Sequence, residues 1–448
     1  MIETAPPPNK QLFNSRVVAW SLWDWGSAAF NAVATTFVFS VYLTTDGLFT
    51  DKDTASQILS IGLTIAGFII AVFAPITGQR ADRQGKGTLL LGVFTGLVIA
   101  AMLGMYFVWP GSMLGSIGAL WLGVAMLGLG NIFFEFASVN YNAMLSRIAT
   151  PENTGRVSGF GWGMGYVGGI GLLLILYIGF ISPEVGWFGV SGENNMNIRI
   201  SMVLSALWYL VFALPVLLKI RGREVPGSEA AARESLATSY RLLWETVKTI
   251  ARESPQTLKF LIASAIFRDG LAGVFTYGAI LAAGTFGFSS GDVMVFAIIA
   301  NLVAGVATIG FGVLDDRFGP KAVMMFSLAA MVVLALVVFF GHSGGKTVFW
   351  IFGMTLCVFV GPTQSAARSF LSRMIPSGRE GEIFGLYATT GRAVSFLSPL
   401  MFLVMVTIGK LFVPVGVSAQ YWGILGIALI LLAGFLLMLR VKGPERRP

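Results

Sequence analysis

The chain has 448 residues, of which 55% are hydrophobic and 12% charged, with a mean hydropathy of +0.78 and a formal net charge of +8. This balance lies outside the range of soluble globular domains and excludes a water-soluble enzyme or binding module. The positive charge does not describe a nucleic-acid surface, because Lys and Arg alternate between the two sides of a series of apolar segments.

Twelve apolar segments, each about 20 residues or longer and so able to cross a hydrocarbon core of about 30 Å as a helix, are expected near 16–43, 55–78, 88–108, 117–146, 157–182, 198–220, 257–284, 290–314, 321–341, 347–371, 382–408 and 419–441. The fold class is therefore all-α and polytopic, with about twelve transmembrane helices. The first segment follows a Pro-rich polar start and is too long for the apolar region of a signal peptide, so it is expected to stay in the mature protein. Lys52, Arg199, Lys346 and Lys410 fall in the odd-numbered loops, and most other cations in the even-numbered loops and termini. The positive-inside rule then puts both termini in the cytoplasm of a cell-membrane protein.

In segment 1, Asp24, Ser27, Asn31 and Thr35 recur at spacings of three and four, which places them on one helix face. Trp20, Trp23 and Trp25 beside them read as interfacial anchors, with stacking on a substrate as the alternative. Segment 2 ends in Gly78-Gln79-Arg80-Ala81-Asp82-Arg83-Gln84-Gly85-Lys86. Segment 4 presents Asn131, Glu135, Ser138 and Asn142 on one face. Segment 5 carries Gly161, Gly165 and Gly169 at four-residue spacing, with Gly163 and Gly168 beside them, a pattern that lets helices approach closely. A polar stretch, 221–255, follows segment 6. In it Leu236, Tyr240, Leu243, Trp244, Val247 and Ile250 recur at helical spacing, with Arg241, Lys248 and Arg252 elsewhere on the wheel. This pattern suggests an amphipathic helix lying on the membrane face, with a solvated linker helix as the alternative.

Segment 7 holds Arg268 and Asp269 about midway, and segment 8 ends in Gly312-Val313-Leu314-Asp315-Asp316-Arg317-Phe318-Gly319-Pro320-Lys321. The lone Cys357 lies inside segment 10, so no disulfide or thiolate metal site is available, and His342 is a loop residue of no evident role. Segment 11 contributes Arg392 and, one turn on, Ser395.

Two internal repeats divide the chain. The Gly-Asp-Arg stretches after segments 2 and 8 form one. The other is Leu145-Ser146-Arg147 with Gly155 and Gly159, recurring at an offset of 226 residues as Leu371-Ser372-Arg373 with Gly381 and Gly385. Residues 1–220 and 256–448 are read as two six-helix halves joined by the linker 221–255. Such paired halves imply a substrate site between them, reached alternately from each side.

Both Gly-Asp-Arg stretches resemble the loop between helices 2 and 3 of the major facilitator superfamily, departing from its pattern at Arg80 and Asp315. The run Trp20-Ser21-Leu22-Trp23-Asp24-Trp25-Gly26, together with Tyr141-Asn142-Ala143, Gly159-Phe160-Gly161-Trp162-Gly163, Arg368-Ser369 and Ser395-Phe396-Leu397-Ser398-Pro399, is similar to the vacuole-effluxer branch of that superfamily. Where that branch usually has an Asn-Ser pair in helix 1 this chain has Ser27-Ala28, and Asn31 could substitute. The resemblance implies a secondary transporter working by alternating access and exporting amino acids or similar small metabolites. It also implies a cavity lined by helices 1, 4, 7 and 10, with help from helix 11.

Ionisable groups at bilayer depth are costly and persist mainly where they face a cavity or a partner. Asp24, Asn31, Glu135, Arg268, Asp269 and Arg392 are therefore the candidate substrate-binding residues. Mixed carboxylates and guanidiniums suit a zwitterion, with Arg392 or Arg268 taking its carboxylate and Glu135 or Asp24 its ammonium. Alternatively Asp24 pairs with Arg268 and Glu135 with Arg392, tying the halves together; interhalf pairs can also be the moving gate. Either carboxylate is also a candidate carrier of a coupling proton. Gly78, Asp82, Arg83, Arg147, Gly312, Asp316, Arg317 and Arg373 read as a conformational latch, with topogenic charge alone as the alternative.

No metal cluster, nucleophile and base, or phosphate loop is evident, so neither an enzyme nor a resident cofactor is expected, and an ion gradient such as that of protons should supply the energy. The expected partners are a small-molecule substrate and the lipid bilayer, without nucleic acid, and a monomer is compatible with the sequence. An uncharged or lipophilic solute, or a receptor that keeps the fold without cycling, are the remaining alternatives.

Overall fold

The computed structural model describes residues 14–443 apart from 85, 145–147, 149–153, 221–235, 375–385, 388–389 and 415–416. In the first half, α1 spans Ser15–Leu43, α2 Lys52–Gln84, α3 Gly87–Gly104, α4 Gly115–Ala143, α5 Thr154–Leu176 and α6 Met196–Lys219. A linker helix, Leu236–Glu253, leads to α7 at Pro255–Gly284, α8 at Ser290–Phe318, α9 at Pro320–Phe340, α10 over residues 345–374, α11 at Leu397–Gly409 and α12 at Gly423–Leu439. Eleven stretches of the described residues are long and apolar enough to cross a membrane, and the thirty-residue α7 is the twelfth helix of crossing length.

Local chemistry sets where these helices begin. Asn14 caps α1 by accepting from Arg16 N at 3.1 Å. Ser289 and Asp292 form a reciprocal capping box at the start of α8. Proline opens both α7 and α9, where its missing N–H costs nothing. Gly319 turns the chain between α8 and α9 at a φ of 89°, a conformation that a side chain would strain.

The core of the first half forms around α1. Trp20 and Trp23 stack on the Tyr141 ring of α4 at 4.4 and 4.3 Å, and their indole N–H groups donate to Tyr141 O and Thr95 Oγ1. Trp25 stacks on Trp208 of α6 at 6.2 Å. These tryptophans are interior packing rather than the interfacial anchors expected from their place in the chain, because Trp20 and Trp23 find both ring partners and hydrogen-bond acceptors inside.

The glycines of α5 lie directly against α1. A methyl group on Gly168 would come within 2.5 Å of Trp25 O, and one on Gly161 within 2.6 Å of the Trp20 ring. Close helix approach thus explains the glycine spacing. From Ala29 to Phe37, α1 is wound as a π-helix, and the Thr36 hydroxyl donates to Asn31 O five residues back at 2.7 Å. The face expected to run from Asp24 to Thr35 is therefore rotated beyond Ala29.

The halves meet along α2 with α11, α5 with α8 and α1 with α7. At the end opposite the two Gly-Asp-Arg stretches a polar lattice closes the contact. Lys52 Nζ donates to Gly284 O at 2.7 Å, Gln57 to Thr407 at 3.0 Å, Lys410 to Gln57 at 2.8 Å and Gln420 to Ser56 at 2.7 Å. Asp53 accepts from Ser418 Oγ at 2.6 Å and from Ala419 N at 2.8 Å. Asp51, just before α2, is partly buried, which acts to raise its carboxyl, but the N–H and hydroxyl of Thr54 with nearby Lys410 outweigh that and hold it below the usual carboxylate range.

The four cations expected in the loops of this end thus work at helix termini: Lys52 and Lys410 in the seal, Arg199 against Tyr106 O at 2.6 Å, and Lys346 with Asp292 at 2.6 Å. His342 stacks on Tyr421 at 3.8 Å. Outer faces keep large apolar side chains exposed, among them Val211, Leu302 and Phe326, as contact with lipid requires.

Asp53→Ala removes two bonds of the seal and leaves the Ala419 N–H without its acceptor. At about 1–3 kcal/mol for such a loss, closure is expected to weaken roughly 5- to 150-fold. Double electron–electron resonance between labels at Thr45 and Phe412 should then gain a longer distance. An unchanged distribution would show that Asp53 does not hold the seal.

Candidate functional site

Beneath the seal, charged side chains from both halves converge. Glu135 of α4 forms an ion pair with Arg392, and the same guanidinium donates through Nη2 to Ser138 Oγ at 2.9 Å. Glu135 and Ser138 are three residues apart on one helix face, so a forked guanidinium engages both. Residues 394–396, between Arg392 and α11, form a turn. Phe396 in that turn stacks on Phe68 of α2 at 4.4 Å, and a methyl group on Gly67 would lie 2.6 Å from Phe396 Cα. The missing side chain at Gly67 thus lets α2 reach the chain segment that carries Arg392.

Asp24 of α1 accepts from the Tyr141 hydroxyl at 3.0 Å and interacts electrostatically with Arg368 of α10. A methyl group on Gly161 would stand 3.2 Å from Asp24 Oδ2, so the glycine seam of α5 also makes room for this carboxylate. Arg268 of α7 donates to Tyr387 O at 2.9 Å and lies 4.0 Å over the Tyr387 ring. Arg368 interacts electrostatically with Arg268, Tyr387 and Tyr166 as well as with Asp24. A methyl group on Gly391 would stand 2.9 Å from Arg268 Nη1.

Counting about 1.5 Å per residue from the helix ends nearest the Gly-Asp-Arg stretches, Arg368 lies about 9 Å deep, Glu135 about 12 Å, Asp24 about 14 Å and Arg268 about 20 Å. The cluster is one band across the interface between the halves.

The expected site residues separate into three groups. Asp24, Glu135, Arg268 and Arg392 come together in this band. Asn31, in the π-wound part of α1, is exposed although its neighbours in that helix are largely buried. Asp269 goes elsewhere: it is buried, its carboxylate accepts from Ser398 N at 2.6 Å, and its carbonyl accepts from Ser398 Oγ at 2.8 Å, fastening α7 to α11. Asp24 faces Arg368 rather than forming the pair with Arg268 considered from sequence. Arg368, Tyr141 and Tyr387 join the band without belonging to the residues expected from sequence, and an arginine inside the apolar segment 347–371 is the one visible signal among them.

Of the latch residues, Arg147 lies outside the described residues. The side chains of Asp82, Arg83, Asp316 and Arg373 and the surroundings of Gly78 and Gly312 also lie outside them, and Arg317 is exposed at the end of α8. Among the described residues no group of three His, Cys, Asp or Glu is placed to hold a metal ion.

Residues 41–410 match the family model described as vacuole effluxer Atg22 like. The chain belongs to the vacuole effluxer Atg22-like family. The MFS-type transporter YxiO of Bacillus subtilis (strain 168) is 26% identical over 397 residues, covering 87% of this chain and 88% of that protein. Autophagy-related protein 22-1 of Aspergillus fumigatus is 25% identical over 269 residues, covering 54% of this chain and 42% of its own length, so the chain spans less than half of that fungal protein. A partially occluded inward-open structure of the xylose transporter XylE from E. coli aligns with a TM-score of 0.66 at 12% identity, over 98% of this chain and 99% of that one, which shows the major facilitator fold. This Atg22-like protein is a multi-pass membrane transporter of that fold.

Arg392→Ala would strand the Glu135 carboxylate among buried groups, at a cost of about 3–5 kcal/mol. Adding Glu135→Ala should restore most of that loss, read as melting temperature in detergent across the double-mutant cycle. Strictly additive losses would mean that the two residues are not coupled.

Proposed function

We propose that this Atg22-like transporter works by alternating access and exports amino acids or similar small zwitterions across the cell membrane. The observation that carries the reading is the unequal use of the three guanidiniums. Arg392 is engaged by Glu135, and Arg368 faces Asp24. Arg268 is held in place by a carbonyl and an aromatic ring, and among the described residues no carboxylate lies within ion-pair distance of it. A guanidinium positioned in this way has donors left for a carboxylate, which it takes in a forked geometry. In this proposal Arg268 receives the substrate carboxylate, Asp24 lies on the ammonium side, and Asn31 contributes a neutral contact. Asp269 serves as an internal fastening.

Glu135 with Arg392, and Asp24 with Arg368, are assigned to switching: each pair joins the halves in the present state and would separate as the opposite state forms. Asp24 or Glu135 would carry a coupling proton when its guanidinium moves away, which makes a proton gradient the energy source. Both termini and the Gly-Asp-Arg stretches are assigned to the cytoplasm from the distribution of Lys and Arg. The sealed end then faces outward, and Asp82, Arg83, Arg147, Asp316, Arg317 and Arg373, with Gly78 and Gly312 near the ends of α2 and α8, latch the cytoplasmic end in the other state.

Counterflow of labelled amino acids into proteoliposomes tests this reading. Arg268→Ala is expected to cut flux at least roughly tenfold with an unchanged melting temperature, and Arg268→Lys to keep part of it, since lysine retains the charge without the fork. Undiminished amino-acid flux in folded Arg268→Ala would remove Arg268 as the anchor. No flux of any amino acid through the unaltered protein would remove the substrate class.

A further inference from the structure

The linker helix supports an inference independent of the transported substrate. Its apolar face is only partly used by the protein. Ile250 is buried, and the Tyr240 hydroxyl donates to Val72 O of α2. Trp244 at the edge of the same face stays 59% exposed.

Next to Trp244 runs a basic flank. At about 100° per residue, Arg241, Lys248 and Arg252 fall within about 40° of one another, and Lys248 is about 40° from Trp244. Lys248 Nζ stands 5.6 Å from the centre of the Trp244 ring. Arg241 is paired with Glu245 at 3.8 Å, both side chains being well exposed. Among the described residues no carboxylate lies within ion-pair distance of Lys248 or Arg252, and both are exposed. An exposed indole bordered by two available cations matches the layering of a membrane surface, with acyl chains below and phosphate above. The helix joins α6 to α7, at the membrane face of the Gly-Asp-Arg stretches, where such a surface lies.

We propose that the linker helix is a docking site for anionic phospholipid, in which Lys248 and Arg252 bind the headgroup phosphate and Trp244 enters the acyl-chain region. The complementary charge decides the occupant: a zwitterionic headgroup satisfies two cations less well than a net negative one, and each cation near an anionic surface adds to affinity. Through Tyr240 and Val72 the docked helix is tied to α2, which also carries Asp53 of the seal and the first Gly-Asp-Arg stretch. Lipid held there bears on the helix that must move between states.

Native mass spectrometry of the full-length protein, released from detergent after incubation with phosphatidylglycerol or phosphatidylcholine, tests this without a transported substrate. Wild-type protein is expected to retain phosphatidylglycerol preferentially. The K248Q/R252Q variant should lose roughly tenfold or more of that retention with phosphatidylcholine adducts unchanged. W244A should weaken both lipids alike. A melting temperature like that of the wild type shows that each variant is folded, and K248R/R252K, which keeps the charge, should retain the lipid and serves as the reference if the neutral pair unfolds. Equal retention of the two lipids by wild type, or unchanged retention in folded K248Q/R252Q, would overturn the proposal.

Discussion

A charge inside a membrane must find a partner or water, and that constraint organises this protein. Its Glu135–Arg392 pair is drawn from opposite halves, so the partner that makes each charge tolerable is one that can be withdrawn. Asp24 is held by the Tyr141 hydroxyl of its own half and also lies within electrostatic reach of Arg368 of the second. Asp269 shows the contrasting solution: it is satisfied within its own half by Ser398 and has no reason to exchange partners.

Backbone geometry places these charges. The glycines of α5 allow α1 to lie close enough for Gly161 to border Asp24, and Gly67 allows α2 to lie against the turn that follows Arg392. A side chain at either position would force these elements to shift. The placement of Asp24 and of the segment that carries Arg392 thus depends on missing side chains as well as on charges. At the sealed end of the same interface the bonding is neutral or singly charged, as with Gln57 and Thr407, or Asp53 and Ala419 N. Such bonds are individually modest, at about 0.5–1.5 kcal/mol for a neutral pair, and a seal assembled from several of them can open as a unit.

Much of this was legible in the sequence because lipid imposes a simple rule: long apolar runs are helices, and charges within them matter. The twelve segments and the Glu135–Arg392 alternative followed from that rule, and the linker helix from the helical spacing of Leu236, Tyr240, Leu243, Trp244, Val247 and Ile250 in a polar stretch. The rotation of α1 beyond Ala29 did not, because a π-wound stretch leaves the composition of a helix unchanged while altering its faces. The interior role of Trp20 and Trp23 was hidden because an indole near a helix end suits an interface equally well, and only the Tyr141 ring between them decides the matter. Arg368 was visible as a charge in an apolar segment, but that Asp24 lies within its electrostatic reach and forms no ion pair with Arg268 depends on the spatial relation of α10 to α1, which no one-dimensional spacing encodes.

The most direct measurement is a cross-link across the seal. With Cys357 replaced by Ala, cysteines at Gln57 and Thr407, whose side chains now meet at 3.0 Å, can be joined in proteoliposomes by a short thiol-reactive linker that contains a disulfide, and released by reduction. Counterflow of labelled amino acids should stop when the halves are joined at this end and return on reduction. Full flux through completely cross-linked protein would contradict alternating access between these halves.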